Sequence, residues 1–145
     1  MELKSPVFEN DGNIPAEYTC DGEDISPPLL IDGVPDDAES LALVMDDPDA
    51  PGSTFDHWIV WNMAPDTGEV PEGAEPVGVG GKNDFGDLGY GGPCPPSGTH
   101  SYRFKLYALD IELELEEGST KSELERVMDG HILAKVELVG NYSRQ

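Results

Sequence analysis

Apolar residues in this chain come in short runs, and Gly and Pro fall between the runs. That arrangement predicts a β-rich fold with many turns. Residues 3–8 predict a first strand, followed by a long polar loop over 10–28. A second strand starts at 29–31 and is closed by the Asp32-Gly33 turn. The run SLALVM (40–45) shows no polar alternation, as expected of a strand buried on both faces, and HWIVWNM (57–63) reads the same way. Between them, DDPDAPGSTFD is too rich in Pro and Gly for helix or strand. Residues 64–100 are the least regular, and loops of that length are usually functional or disordered. Phe85 and Tyr90 give this one side chains to pack with, which favours order.

The piece YRFKLYAL (102–109) alternates. It sets Tyr102, Phe104, Leu106 and Ala108 on one face and Arg103, Lys105, Tyr107 and Leu109 on the other. IELELE (111–116) is expected to continue that strand. One helix is predicted. Thr120 and Glu123 form a capping box, Leu124, Val127 and Met128 the apolar stripe, and Gly130 the C-terminal cap. HILAKVELV (131–139) returns as a strand. No repeat, linker or low-complexity tract divides the chain. The expectation is a single mainly-β domain over 1–145 with one or a few short helices.

Charge alters this picture in one respect. The 145 residues include 30 Asp+Glu against 8 Lys+Arg, a formal charge of −22. Such a charge with low hydrophobicity is a mark of disorder. Leu, Ile, Val and Phe nevertheless supply 33 of the 145 residues, about 23%, above the level of roughly 20% that flags disorder. The reading is a folded protein with an acidic skin. Its surface repels nucleic-acid phosphates and anionic lipid headgroups, and no Lys/Arg cluster offsets it, so neither nucleic acid nor a stable membrane association is expected. The plain account of so many acids is adaptation to high salt, with a fold that loosens at low ionic strength. No apolar stretch reaches the length of a membrane helix, and the first residues lack the parts of a signal peptide, so the expected location is cytoplasmic. Cys20 and Cys94 lie far apart and form neither a CxxC metal site nor a secreted disulfide framework. They are expected to be two small, buried or half-buried thiols.

Reactive side chains concentrate in three segments. In Asp46-Asp47-Pro48-Asp49-Ala50-Pro51 the prolines hold Asp47 and Asp49 in a stiff turn, and Ala50–Pro51 is a candidate cis bond. In Asp56-His57-Trp58, His57 opens an apolar strand, a place where a lone His is more often a satisfied edge residue than a ligand. In GYGGPCPPSGTHSY (89–102), glycines permit close approach of backbone to a ligand, prolines stiffen the loop, and His100 and Tyr102 point to one face. Each has a bland structural reading alone. Together Asp47, Asp49, His57, His100 and Tyr102 make a small polar pocket at one end of a sheet plausible.

The strings YTCDGEDISPPL (18–29), LALVMDDPDAP (41–51), HWIVWNM (57–63), GYGGPCPPSGTHSYRFKLYALD (89–110) and HILAKVELVGNYSR (131–144) resemble the phosphatidylethanolamine-binding protein family. They look most like its bacterial and archaeal branch, the Raf kinase inhibitor-like proteins, in the same order over nearly the whole chain. The resemblance implies a large central antiparallel sheet, a smaller second sheet, peripheral helices and a pocket for phosphate, phosphorylated headgroups or similar anions. Carried over by motif, Asp47 is the pocket acid, Asp49 and Pro51 belong to its wall, and His57 is the pocket histidine. Gly92, Pro93 and Pro96 match the Gly/Pro wall, and His100 and Tyr102 match the family's His-x-Tyr. Ser101 departs from the Arg that many members carry, which removes a surface ion pair. Ile31 stands where many members have Trp. The chain ends without the longer C-terminal helix of eukaryotic members, so a more open pocket is implied.

An anion among Asp47 and two imidazoles requires rings that carry protons or donate N–H bonds. A carboxylate near His57 and His100 is expected to raise both pKa values, so that phosphate affinity falls as pH rises. The leading expectation is a binding module for a small anion or phosphorylated small molecule that, as the resemblance implies, regulates a protein partner in the manner of a kinase or protease inhibitor, with no cofactor or metal, the protein target left unnamed, and a homodimer. The competing one is a hydrolase acting on a phosphoester through a metal or through His57 and His100. It lacks an HExxH, GxSxG or P-loop motif. Cys94 near His100 could imitate a Cys-His pair, but its place between prolines favours wall packing.

Overall fold

A computed structural model describes residues 1–144; Gln145, the last residue of the expected domain, lies outside the described residues. Among the described residues, nine strands and one helix follow in order. They are β1 (Glu2–Lys4), β2 (Gly12–Asn13), β3 (Leu29–Asp32), β4 (Ser40–Asp47), β5 (Phe55–Met63), β6 (Glu69–Val70), β7 (Val79–Gly80), β8 (Thr99–Leu109), α1 (Lys121–Met128) and β9 (Ile132–Ser143). A single 3-10 turn covers Ala16–Tyr18. The large sheet runs β2-β9-β8-β4-β5-β7 and the small one β1-β3-β6. Every pairing is antiparallel except β2 with β9. The expected mainly-β architecture of two unequal sheets and a helix is the one observed, with the large sheet mixed at its β2 edge.

The unbroken apolar runs become the middle of the large sheet. All eight residues of β4 are buried, because both faces of the strand are covered. One face packs against the small sheet: Leu41, Leu43, Met45, Trp58, Phe104 and Leu106 meet Leu3, Leu29, Ile31 and Val70. The other packs under α1, where Ala42, Val44, Ile59, Trp61, Tyr107 and Leu109 meet Leu124 and Met128. The alternation in 102–109 is realised. Tyr102, Phe104, Leu106 and Ala108 join the first core, and Tyr107 and Leu109 the second. The capping box forms, with Glu123 N donating to Thr120 Oγ1 and Thr120 N to Glu123 Oε1. The C-cap is Asp129, and Gly130 follows it at φ 83°, the left-handed conformation that ends a helix.

Four expectations need correction. The first strand stops at Lys4, because Ser5 turns the chain by accepting from Val7 N and donating to Pro28 O, and Pro6 has no N–H to continue a ladder. IELELE is not a strand. Beyond Leu109, the Asn62 side chain takes the Leu113 N–H at 2.7 Å and donates to Leu113 O at 2.9 Å. That docks 111–116 across the second core with Leu113 buried. Asn62 can reach because the β4–β5 register slips beside it and its φ is 54°. Cys20 and Cys94 are not thiols but a disulfide. Their sequence separation says nothing against pairing once two loops fold onto each other. Finally, there is no cis peptide bond among the described residues, Ala50–Pro51 included.

Candidate functional site

Two adjacent carboxylates at the end of β4 go to opposite faces of the large sheet. Asp46 shares its face with Ala42 and Val44 and is fully buried. There Arg103 Nε lies 2.9 Å from Oδ1, and Lys105 Nζ and Lys121 Nζ lie 3.0 and 3.1 Å from Oδ2. Lys121 also stands 2.7 Å from Asp56 Oδ1 as an ion pair. These hydrogen-bonded cations hold the Asp46 carboxyl below its ordinary value against the opposing pull of burial.

Asp47 turns the other way, and β5 turns to meet it. The pairing runs Met45↔Trp58 and then Asp46↔Asp56, so His57 is the extra residue of a β-bulge. Strict alternation would send His57 to the face of Ile59 and Trp61. The bulge instead places it 5.3 Å, ring to ring, from Tyr102 on the first face, while Asp56 joins Asp46 on the second. His100 and Tyr102 reach the same place from the start of β8, where the period of two puts them on one face.

These side chains enclose a cavity of about 230 Å³. His100 Nδ1 is 2.7 Å from Asp47 Oδ2, and His57 Nδ1 is 2.7 Å from Gly91 O. Since a carboxylate and a carbonyl accept, both rings donate from Nδ1. Asp47 Oδ1 is held by the Asp49 N–H at 2.8 Å. Phe55 and Phe85 stack edge-on to each other and flank His57 at 5.0 and 5.4 Å. Ala50, Pro51, Cys94, Pro95 and Pro96 close the walls. A larger groove of about 490 Å³ lies between β1 and β9, lined in part by Phe8, Val136, Leu138 and the exposed Glu2–Lys4 pair. It contains no histidine and no buried acid, so size does not select the site.

Of the nine residues singled out in the sequence, Asp47, Pro51, His57, Pro96, His100 and Tyr102 line the cavity. Three do not. Asp49 is exposed and its Oδ2 accepts from Ser101 N at 2.8 Å, so it clamps the turn to β8. Gly92 and Pro93 lie behind the wall. Gly92 N donates to Asp24 Oδ1 at 2.9 Å, and Pro93 O accepts from Cys20 N at 3.1 Å. With the Tyr90 hydroxyl donating to Tyr18 O and with the Cys20–Cys94 disulfide, these bonds suture the 89–98 loop to the 18–24 loop. Ser101 Oγ donates to Asn141 rather than facing the cavity. Phe55 is absent from the sequence reading, and Phe85 enters it only as a packing residue of the 64–100 loop. Their only sequence signal was aromatic residues inside otherwise polar, turn-rich segments.

The expected protonation of His57 is also corrected. Burial lowers its pKa below the ordinary 6.5, and the bond to Gly91 O and the charge of Asp47 only partly oppose this. Burial, reinforced by Asp47, likewise drives the Tyr102 hydroxyl well above its usual range, so it stays protonated. Among the described residues, no three His, Cys, Asp or Glu side chains converge as a metal site.

Comparison with known proteins decides the family. The family model for phosphatidylethanolamine-binding protein matches residues 4–143. The chain belongs to the phosphatidylethanolamine-binding protein family. A relative in Methanothermobacter thermautotrophicus, named only as a UPF0098 protein, is 51% identical over 99% of both chains. Among solved members, a homolog from Chlamydia trachomatis superposes with a TM-score of 0.96 at 44% identity, covering 99% of this chain and 97% of its own. YbcL of E. coli superposes at 0.91 with 30% identity, covering 99% and 98%. Both are described as members of the same family. No helix among the described residues is long and apolar enough to cross a membrane.

Proposed function

We propose that this protein binds a small anion or a phosphorylated small molecule in the cavity between Asp47, His57 and His100. The observation that carries the reading is convergence. β4 delivers Asp47, the bulge of β5 delivers His57, and the start of β8 delivers His100 and Tyr102 to a cavity of about 230 Å³. Membership in a family named for binding a phospholipid supports a ligand-binding role. The net charge of −22 favours a soluble ligand over an anionic bilayer. Binding rather than turnover is favoured because Cys94, the wall thiol that a Cys-His pair would need, is bonded to Cys20.

Calorimetric titration with inorganic phosphate at pH 6 and high salt tests this. Saturable binding at one site, lost in His100→Ala, is expected. No heat at millimolar phosphate, with His57, His100 and Tyr102 resonances unmoved by NMR, would overturn it.

A further inference from the structure

The outer edge of the large sheet is only partly covered. On one side β9 pairs with β8 from Ile132 to Ser143, apart from the bulged Leu133. On the other side β2 meets only Gly140 and Asn141. Just before them, Val139 O accepts from Asp11 N at 2.8 Å and Val139 N donates to Asn10 Oδ1 at 2.9 Å. Asn141 O accepts from Ile14 N. Val139 and Asn141 therefore turn their backbone groups away from β8. By the period of two, Glu137 and Lys135 present the same groups to the same side. Among the described residues no strand pairs with 132–138 there, and no backbone hydrogen bond reaches Glu137 or Lys135 from it. An open row of N–H and C=O groups is a template for one further strand.

The two faces of this edge offer different things to side chains. On the first-core face lies the groove of about 490 Å³ between β1 and β9, lined by the buried Leu3, Phe8 and Leu138 and the half-buried Val136. A strand laid along 133–138 would run for about 20 Å and turn alternate side chains toward that groove. Lys135 and Glu137 stand on the α1 face, in register with Tyr107 and Lys105. Lys135 Nζ lies over the Tyr107 ring, 5.5 Å from its centroid, which draws its charge inward from the edge. Lys105 is held by Asp46 and does not neutralise Glu137. At the groove rim Lys4 is paired with Glu2, and Glu9 is exposed. The edge is apolar on one face and acidic at its borders.

Charge complementarity chooses the occupant. A second copy would bring its own charge of −22, and its Ala134 and Val136 already pack against its own core. A strand with Lys or Arg at one alternate set of positions meets the acidic border, and its apolar set meets the groove. We propose that the 132–138 edge of β9 is a docking site for an extended segment of a partner protein, apolar at alternate positions and basic between them, which adds to the large sheet beside β9 and in line with β2. The groove and the cavity share no lining residue, so the docking site stands whether or not the cavity binds an anion.

NMR on the isotope-labelled full chain tests this with a synthetic peptide of alternating Lys and Val, blocked at both ends, at the lowest chloride that preserves the fold. Binding should be saturable, shift the amide signals of 133–138, and slow hydrogen exchange at Lys135 and Glu137 by tenfold or more. Two N-methylated forms of the peptide show whether its backbone is read. Methylation of the alternate set whose N–H groups face β9 should weaken binding about tenfold or more, and methylation of the other set should leave it unchanged. The same peptide with Glu in place of Lys should also bind about tenfold more weakly or worse. Glu137→Pro removes one outward N–H while sparing the β8 ladder, and should weaken the Lys/Val peptide to a similar degree. If that variant does not fold, the methylated peptides on the wild type decide. No shift at 133–138 with millimolar peptide, or equal affinity for both methylated forms, overturns the docking site. Equal affinity for the Lys and Glu peptides overturns the basic partner. Dimers in sedimentation without peptide, with the 133–138 amides protected as protein concentration rises, overturn it in favour of a second copy.

Discussion

Asp46 and Asp47 are neighbours in sequence and opposites in circumstance. Asp46 faces the α1 side of the sheet, wholly enclosed and met by three cations. Asp47 faces the other side, nearly as buried, and is met by one imidazole and one backbone N–H. The first arrangement compensates charge as fully as this chain can, with three of its eight basic residues. It has little capacity left over. The second satisfies hydrogen bonds without any Lys or Arg, and it borders a cavity. Burying a carboxylate is costly either way. The Lys- and Arg-rich site ties β4, β5, β8 and α1 together, and the other opens onto the cavity.

Substitutions separate the two sites. Asp46→Asn removes the carboxylate shared by three buried or half-buried cations, leaving Lys121 only its pair with Asp56, and should lower the unfolding free energy by about 3–5 kcal/mol in urea titration. Phosphate affinity should stay unchanged if the variant folds. Asp47→Asn, measured the same way, should cost less, about 1–3 kcal/mol, with phosphate binding weakened through the lost orientation of His100. Equal losses in both measurements would break the comparison.

Removing the suture behind the cavity comes next in size. Cys20 and Cys94 close a loop of sequence separation 74, and replacing both by Ser should cost about 2–4 kcal/mol. Phosphate affinity should fall as well, whereas the Asp46 cluster, judged by the Lys121 NMR shifts, stays as it was. Gly92→Ala probes the same wall more locally. A Cβ there would stand 2.1 Å from Asp24 Oδ1 and 2.5 Å from Tyr18 O, a clash worth about 1–3 kcal/mol by analogy with overpacked cores. A crystal structure of the variant with an unmoved 18–24 loop would contradict that.

The smallest effect is a pH shoulder. His57 is held below its ordinary 6.5 in the folded protein. The unfolded chain therefore takes up the proton first as pH falls, and stability present above 6.5 declines between that value and the lower folded one. Asp46 is also lowered, from 3.8, so its contribution persists until the pH falls below that value. Stability followed by urea midpoints should sag below pH 6.5 in the wild type and stay flat there in His57→Gln.

What the sequence showed and hid divides along the same line. The two faces of 102–109 were legible because alternation alone decides them, and α1 because Thr120, Glu123 and Gly130 are local signals. The grouping of His57 with His100 and Tyr102 was legible from reactive residues clustered at the ends of apolar strands, and motif resemblance supported it. Its geometry was not legible, because the bulge that turns His57 exists only in the pairing of β5 with β4. The disulfide was hidden for a similar reason: nothing local to Cys20 or Cys94 says that their loops meet. The protonation of His57 was misjudged because neighbouring charge is visible in a string of residues and depth of burial is not.

The ionic cluster has a consequence for the molecule's behaviour in concentrated solution. With Arg103, Lys105 and Lys121 drawn to Asp46, only five basic side chains remain for everything else, and the outer shell is more negative than a count along the chain suggests. Two such molecules approaching in dilute buffer repel each other through nearly their whole surfaces. Close approach requires a dense cloud of bound counter-cations, so crowding, crystallisation and colloidal stability will be governed by the identity of the cation in solution.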